Sequence, residues 1–206
     1  MLTAYHAAWL FPISQPPIRD GYITVDAGRV TYVGAQTPSG AKIVDLGNVA
    51  ILPKPINAHT HLEFSDLTQP LGKPRHSFAN WIGEVLAQRA ARTTPKGESI
   101  AQGLRELGEA QTAALGEIAT LPSSSSDYGI DPLPGIAFHE LLSTDLDRGL
   151  ARLAEISALA DNWPADSPLR FGLSPHSPYT VHWELLNKSI ELAARSEERR
   201  VGKECA

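Results

Sequence analysis

From residue 49 onward the chain alternates short apolar runs with longer stretches of helical periodicity, and no other feature constrains its fold as strongly. Val49-Ala50-Ile51-Leu52 opens a run that continues to His61, and Phe78, Trp81, Ile82, Val85 and Leu86 then recur at helical spacing. Thr94-Pro95 reads as the N-cap and first position of a second helix, with Ile100, Leu104 and Leu107 on its inner face. Residues 114–120, 135–141 and 169–173 read as three further strands, with the polar run 123–126 as a loop. Thr144 and Asp147 make a capping-box-like start for a helix striped with Leu146, Leu150, Leu153 and Ile156. Thr180 opens a fourth barrel helix carrying Leu185, Leu186 and Ile190. Strands alternating with helices predict an α/β fold of parallel βα units, and about four units make the first half of a TIM-like (β/α)₈ barrel over residues 51–194.

Residues 1–50 follow another pattern. Short runs at 2–11, 21–25, 30–33 and 42–45 read as strands, and Asp26-Ala27-Gly28-Arg29 between two of them reads as a hairpin turn. This predicts a small N-terminal β-domain, part of a sandwich-like unit. No run approaches the roughly 18 apolar residues of a membrane span, and the first residues lack a basic segment before an apolar one, so a cytoplasmic location is expected. A formal charge of −5 argues against nucleic acid or an anionic membrane as partner and leaves a small-molecule substrate, with self-association open. The single cysteine, Cys205, excludes an intrachain disulfide and a Cys-rich zinc knuckle. Any metal must therefore be held by histidine and carboxylate.

The segment Asn57-Ala58-His59-Thr60-His61-Leu62-Glu63 follows directly on the apolar run. Residues two apart in a strand share a face and lie about 6.6 Å apart, so His59 and His61 can point at one ion while Thr60 faces the other way. Neutral imidazole suits Zn²⁺ or Fe²⁺. His-x-His alone is a weak pattern, equally compatible with two unrelated surface or core histidines.

Its surroundings make it specific. Ile51-Leu52-Pro53 followed by residues 56–63 resembles the first barrel strand of the deaminases and chlorohydrolases of the amidohydrolase superfamily. Gly116-Glu117-Ile118-Ala119-Thr120, Phe138-His139-Glu140 and above all Leu173-Ser174-Pro175-His176-Ser177-Pro178-Tyr179-Thr180-Val181 agree with that resemblance, which covers residues 1–194. Within the superfamily the chain is most similar to the aminodeoxyfutalosine deaminases, through Glu63-Phe64-Ser65 and the spacing of Phe78, Trp81 and Val85.

The resemblance implies a hydrolase of non-peptide carbon–nitrogen bonds that uses a divalent metal, Zn²⁺ first and Fe²⁺ as the alternative, to activate water against a carbon bearing an amino group. It implies His59 and His61 as metal ligands and His176 as a residue near substrate. Glu63 could contact substrate or face solvent, and Glu140 could face the site or serve structure. Trp81 could be a helix core residue or a substrate platform, and His6, His76 and His182 read as surface or capping residues. The remaining metal ligands and the general acid and base are expected on strands five to eight, beyond this chain, so no acid or base is assigned within it. Chlorohydrolase or cyclic-amide hydrolase activity is the alternative reaction, and a non-catalytic metal-binding β/α module is the rival from another class.

Two departures stand out. Lys54-Pro55 replaces the glycine usual before the first histidine, which could alter the approach to the strand. The run 195–205, Arg-Ser-Glu-Glu-Arg-Arg-Val-Gly-Lys-Glu-Cys, resembles the in-frame translation of a sequencing adapter, so residues 195–206 are set apart as a non-native tail.

Overall fold

A computed structural model describes residues 2–129 and 132–204, and the chain divides into two compact units, residues 1–54 and 55–206. In the first unit β1 (Thr3–Leu10), β2 (Ile18–Asp26), β3 (Arg29–Gly34), β4 (Lys42–Asp45) and β5 (Ala50–Ile51) form one sheet. The order is β3-β2-β1-β4, and β5 also pairs with β1. The β2–β3 connection closes on Asp26↔Arg29 through Ala27 and Gly28, both at positive φ (47° and 76°). Two central residues with positive φ give a turn whose twist matches the strands it joins, which is the hairpin expected from the sequence. Ala4, Ala7 and Leu10 of β1 are buried, together with Thr24 of β2. No second sheet completes a sandwich among the described residues of this unit.

The run from Val49 does not open the barrel strand, contrary to the reading of its hydrophobicity. Ala50 and Ile51 pair in parallel with Trp9 and Leu10, inside the first unit's sheet. Pro53 and Pro55 carry no amide hydrogen and so cannot donate to a strand ladder on either side of Lys54. Pro55 still contributes its carbonyl, which accepts from the Ala113 amide at 2.8 Å. Lys54 is absent from the residues at positive φ, so the missing glycine is accommodated without a left-handed backbone.

The second unit is built on four parallel strands in the order β6 (Ile56–Thr60), β7 (Ala114–Ala119), β8 (Gly135–Leu141) and β9 (Leu169–Pro175). Its helices are α1 (Phe78–Ala91), α2 (Lys96–Glu109), α3 (Leu146–Asn162) and α4 (Trp183–Glu204). The helices are not distributed one per strand. Both α1 and α2 lie between β6 and β7, whereas β7 and β8 are joined by a loop with a 3₁₀ turn at Ser125–Tyr128. Tyr128 in that turn and Ile100 of α2 share a core with Leu62, Leu115, Ala137 and Leu169. A second core joins Ile156 of α3 and Leu185 of α4 to Leu141 and Val181.

Helix ends shift slightly from the sequence reading. Pro95 rather than Thr94 holds the N-cap position of α2 and makes no side-chain cap. Asp145, not Thr144, caps α3 by accepting from the Arg148 amide at 2.9 Å. The apolar stripe expected on α1 has no buried residue, with Phe78 74% and Trp81 40% exposed. The backbone of residues 195–204 continues α4, and Cys205 lies outside the described residues.

Candidate metal and substrate site

Side chains of opposite-facing residues divide the parallel sheet into two faces. Glu117 aligns with Ala137 and Phe171, and Ala119 with His139 and Leu173. With Leu115, Ala137 and Leu169 in the core beneath α2, these residues form the helix-facing side. Glu140 and Ser174, paired with each other, belong to the opposite side.

Thr60 pairs with Glu117 after a register irregularity that follows Asn57. Its neighbours His59 and His61 consequently take the face opposite Glu117, with ring centroids 5.3 Å apart at an interplanar angle of 67°. The structure thus brings the two histidines together at the C-terminal end of β6, the end at which barrel enzymes place their chemistry. Burial is the largest influence on His61 and lowers its pKa, while Glu140 acts in the raising direction from two strands away. A neutral imidazole is the ligand form. Nδ1 of His61 is buried without a hydrogen-bond partner, so in the Nε2–H tautomer its lone pair is left for a cation. Among the described residues no third His, Cys, Asp or Glu joins the pair to form a cluster able to hold a metal.

His176 follows β9, three interstrand spacings from β6, or roughly 14 Å along the sheet. Its amide donates to the Leu141 carbonyl at 3.0 Å, and its Nδ1 lies 2.8 Å from the Thr180 hydroxyl. A Thr180 to Ser177 backbone bond at 3.1 Å closes the turn that holds the ring. The Ser-Pro-His-Ser-Pro run therefore presents an exposed imidazole at the same sheet end as the pair.

Glu63 sits differently from an acceptor open to substrate. It is 3% exposed and accepts from Arg89 at 2.7 Å, Arg92 at 3.4 Å and the Thr120 hydroxyl at 3.0 Å. Both arginines also lie over the Phe64 ring, at 5.1 and 5.3 Å. Lys96 of α2 donates to the carbonyls of Thr120 and Pro122, and its burial lowers its pKa. Glu117 is 1% exposed and accepts from the Leu62 amide through both oxygens, at 3.2 and 3.0 Å. Desolvation, reinforced by Glu63 and opposed by the Leu62 bond and Lys96, pushes its carboxyl up to about 8.

His139 is fully buried on the helix side, stacked on Phe171 at 4.6 Å and edge-on to Trp163 at 5.3 Å. Desolvation brings its pKa down to about 4, and Nδ1 lies 3.2 Å from the Gly172 carbonyl, so it is a neutral core histidine. His182 caps α4, its Nδ1 accepting from the Glu184 amide at 3.3 Å, and His6 pairs with Asp45 at 2.9 Å. The sequence reading missed Arg89, Arg92, Lys96 and Thr120. The available signal for Glu117 was a carboxylate inside the otherwise apolar strand Ala-Leu-Gly-Glu-Ile-Ala.

The site can be set beside known proteins. No protein-family profile matches the chain. It is 29% identical over 179 residues to the aminodeoxyfutalosine deaminase of Deinococcus radiodurans, covering 84% of this chain and 40% of the relative. It is 29% identical over 152 residues to the adenosine deaminase of Helicobacter pylori, covering 73% and 36%. The chain is a relative of the amidohydrolase-superfamily deaminases. It spans less than half the length of these curated relatives. The fold agrees: the Helicobacter pylori aminofutalosine deaminase in complex with methylthio-coformycin superposes with a TM-score of 0.71 at 24% identity, over 95% of this chain and 49% of that one. A zinc-bound adenosine deaminase from Xanthomonas campestris gives 0.66 at 19%, over 95% and 47%.

Proposed function

We propose that this chain carries the first metal-ligand pair and one substrate-side residue of a metal-dependent deaminase acting on an aminopurine nucleoside or a related heterocycle. The convergence of the His59 and His61 rings on one sheet face is the observation that carries this reading. His59 and His61 would hold the ion, with Zn²⁺ favoured over Fe²⁺ by the zinc-bound relative in fold. A divalent ion bound there supplies Lewis acidity and an acidified water for attack at a carbon bearing an amino group. Catalytic zinc sites use three protein ligands, so a further ligand must come from a segment outside the described cluster.

His176, at the end of β9 and held by Thr180, would orient substrate across the strands that separate it from β6. Glu140, on the site face of β8, biases the charge of that space. Glu63, enclosed by Arg89, Arg92 and Thr120, would support the turn beside the pair rather than meet substrate itself. The molecule would act as a small-molecule enzyme in the cytoplasm, with no nucleic acid or membrane partner. No helix among the described residues is long and apolar enough to cross a membrane.

The test joins residues 1–194 to the C-terminal portion of the Deinococcus relative and measures ammonia release from a panel of aminopurine nucleosides with Zn²⁺ present. The reading expects turnover that His59→Ala or His61→Ala abolishes. A zinc-loaded chimera that is inert on the whole panel, or one indifferent to both substitutions, would sink it.

A further inference from the structure

His61 occupies the N-cap position of the 3₁₀ turn Leu62–Phe64, with φ −121° and ψ 81°. A side chain at that position can accept from the second or third amide of the turn. His61 makes no such bond. The Leu62 amide, the first of the turn, is taken by Glu117, which reaches from the neighbouring strand with both oxygens.

The arrangement is local and deep. Thr60 pairs with Glu117 in the sheet, so the same residue contacts the chain on both sides of His61. Leu62 is 1% exposed, and a Cβ on Gly103 of α2 would lie 2.7 Å from its Cδ2, so the turn is pressed against the helix. Glu117 lies on the helix-facing side and takes no place in a cluster able to hold a metal. Its contact with the pair runs through the Leu62 peptide.

We infer that Glu117 is a positioning residue for the metal pair: by accepting from the Leu62 amide with both oxygens, it fixes the peptide that follows His61 and so holds that imidazole where it meets His59. The inference rests on the reading of His59 and His61 as metal ligands. Groups that orient ligands in this indirect way typically change metal affinity by about 10- to 100-fold when removed. Gln at position 117 retains an acceptor of the same reach, Leu removes it, and Asp withdraws it by one methylene.

The experiment measures Zn²⁺ affinity of the 206-residue chain by competition with a chromophoric chelator, for wild type, Glu117→Gln, Glu117→Leu and Glu117→Asp. Hydrogen exchange of the Leu62 amide and the side-chain couplings of His61 are followed by NMR in the same samples. Glu117→Leu is expected to bind zinc about tenfold or more weakly, Glu117→Asp to weaken it in the same direction, and Glu117→Gln to restore near-wild-type affinity. If Glu117→Leu does not fold, Glu117→Asp against Glu117→Gln carries the comparison. Wild-type zinc affinity in a folded Leu or Asp variant overturns the inference, because a merely structural role lowers stability without touching the folded chain's affinity. If the wild-type chain binds no zinc, the metal reading fails on its own. The positioning claim is then decided by NMR: faster Leu62 exchange and rotamer averaging at His61 in Glu117→Asp support it, and unchanged values overturn it.

Discussion

The two faces of the parallel sheet hold different sets of polar groups. On one, His59 and His61 meet with a buried ring nitrogen left unpartnered. On the other, Glu117 accepts from a backbone amide, and beyond the strand end Glu63 is enclosed by two arginines and a threonine hydroxyl. Buried polar groups cost free energy unless paired, and His139 Nε2 and the Tyr128 hydroxyl on the helix-facing side also lack partners, so what separates the His61 nitrogen from them is that its ring converges with that of His59. The two faces are one residue apart in sequence, at Thr60 and His61.

Substitution on the open face is expected to act on chemistry and leave folding nearly intact. His59→Ala or His61→Ala should weaken zinc binding by more than outer partners do, hence by roughly 10³-fold, as read by chelator competition. In the chimera, His176→Ala should lower kcat roughly 100-fold while zinc per chain stays unchanged, since its place is three strands from the pair. Loss of zinc in that variant would make His176 a support of the metal and erase the division between ligand and substrate side.

Substitution on the closed face is expected to act on stability. Glu63→Ala leaves Arg92, whose side chain is 9% exposed, short of a carboxylate, and should cost about 3 kcal/mol in urea unfolding. A smaller effect tests Glu117 through pH. Its folded pKa of about 8 lies above the ordinary 4.5, so from pH 4.5 to 8 the unfolded chain has released a proton that the folded chain retains. Stability contributed by this group therefore falls as pH rises, by about 1.4 kcal/mol per unit, until pH 8. His139 opposes it below pH 6.5, because its folded pKa of about 4 makes stability rise from pH 4 to 6.5. The net decline attributable to Glu117 should thus emerge between pH 6.5 and 8 and vanish in Glu117→Gln, measured as the difference in urea midpoint between the two proteins. A parallel pH profile in both would show that Glu117 is ionised in the fold.

Much of this was legible in the residues. Alternation of apolar runs and helical periods gives the four parallel strands, and the two-residue spacing of His59 and His61 gives their shared face. What failed was assignment by hydrophobicity alone. Val49-Ala50-Ile51-Leu52 is as apolar as a barrel strand, but prolines on either side of Lys54 separate it from β6, and its partner is β1. The stripe of α1 marked a helix correctly and a buried face wrongly, because a period reports which residues share a side and not what covers it. The bracket around Glu63 depends on Arg89 and Arg92 reaching back 26 and 29 residues, a distance no local pattern encodes.

The central claim is that His59 and His61 hold one divalent ion together. X-ray absorption at the zinc edge of the zinc-loaded 206-residue chain examines it directly. The account predicts two imidazole nitrogens at about 2.0–2.1 Å, reduced to one in His59→Ala and one in His61→Ala. A shell without imidazole, or one that neither substitution alters, would contradict it.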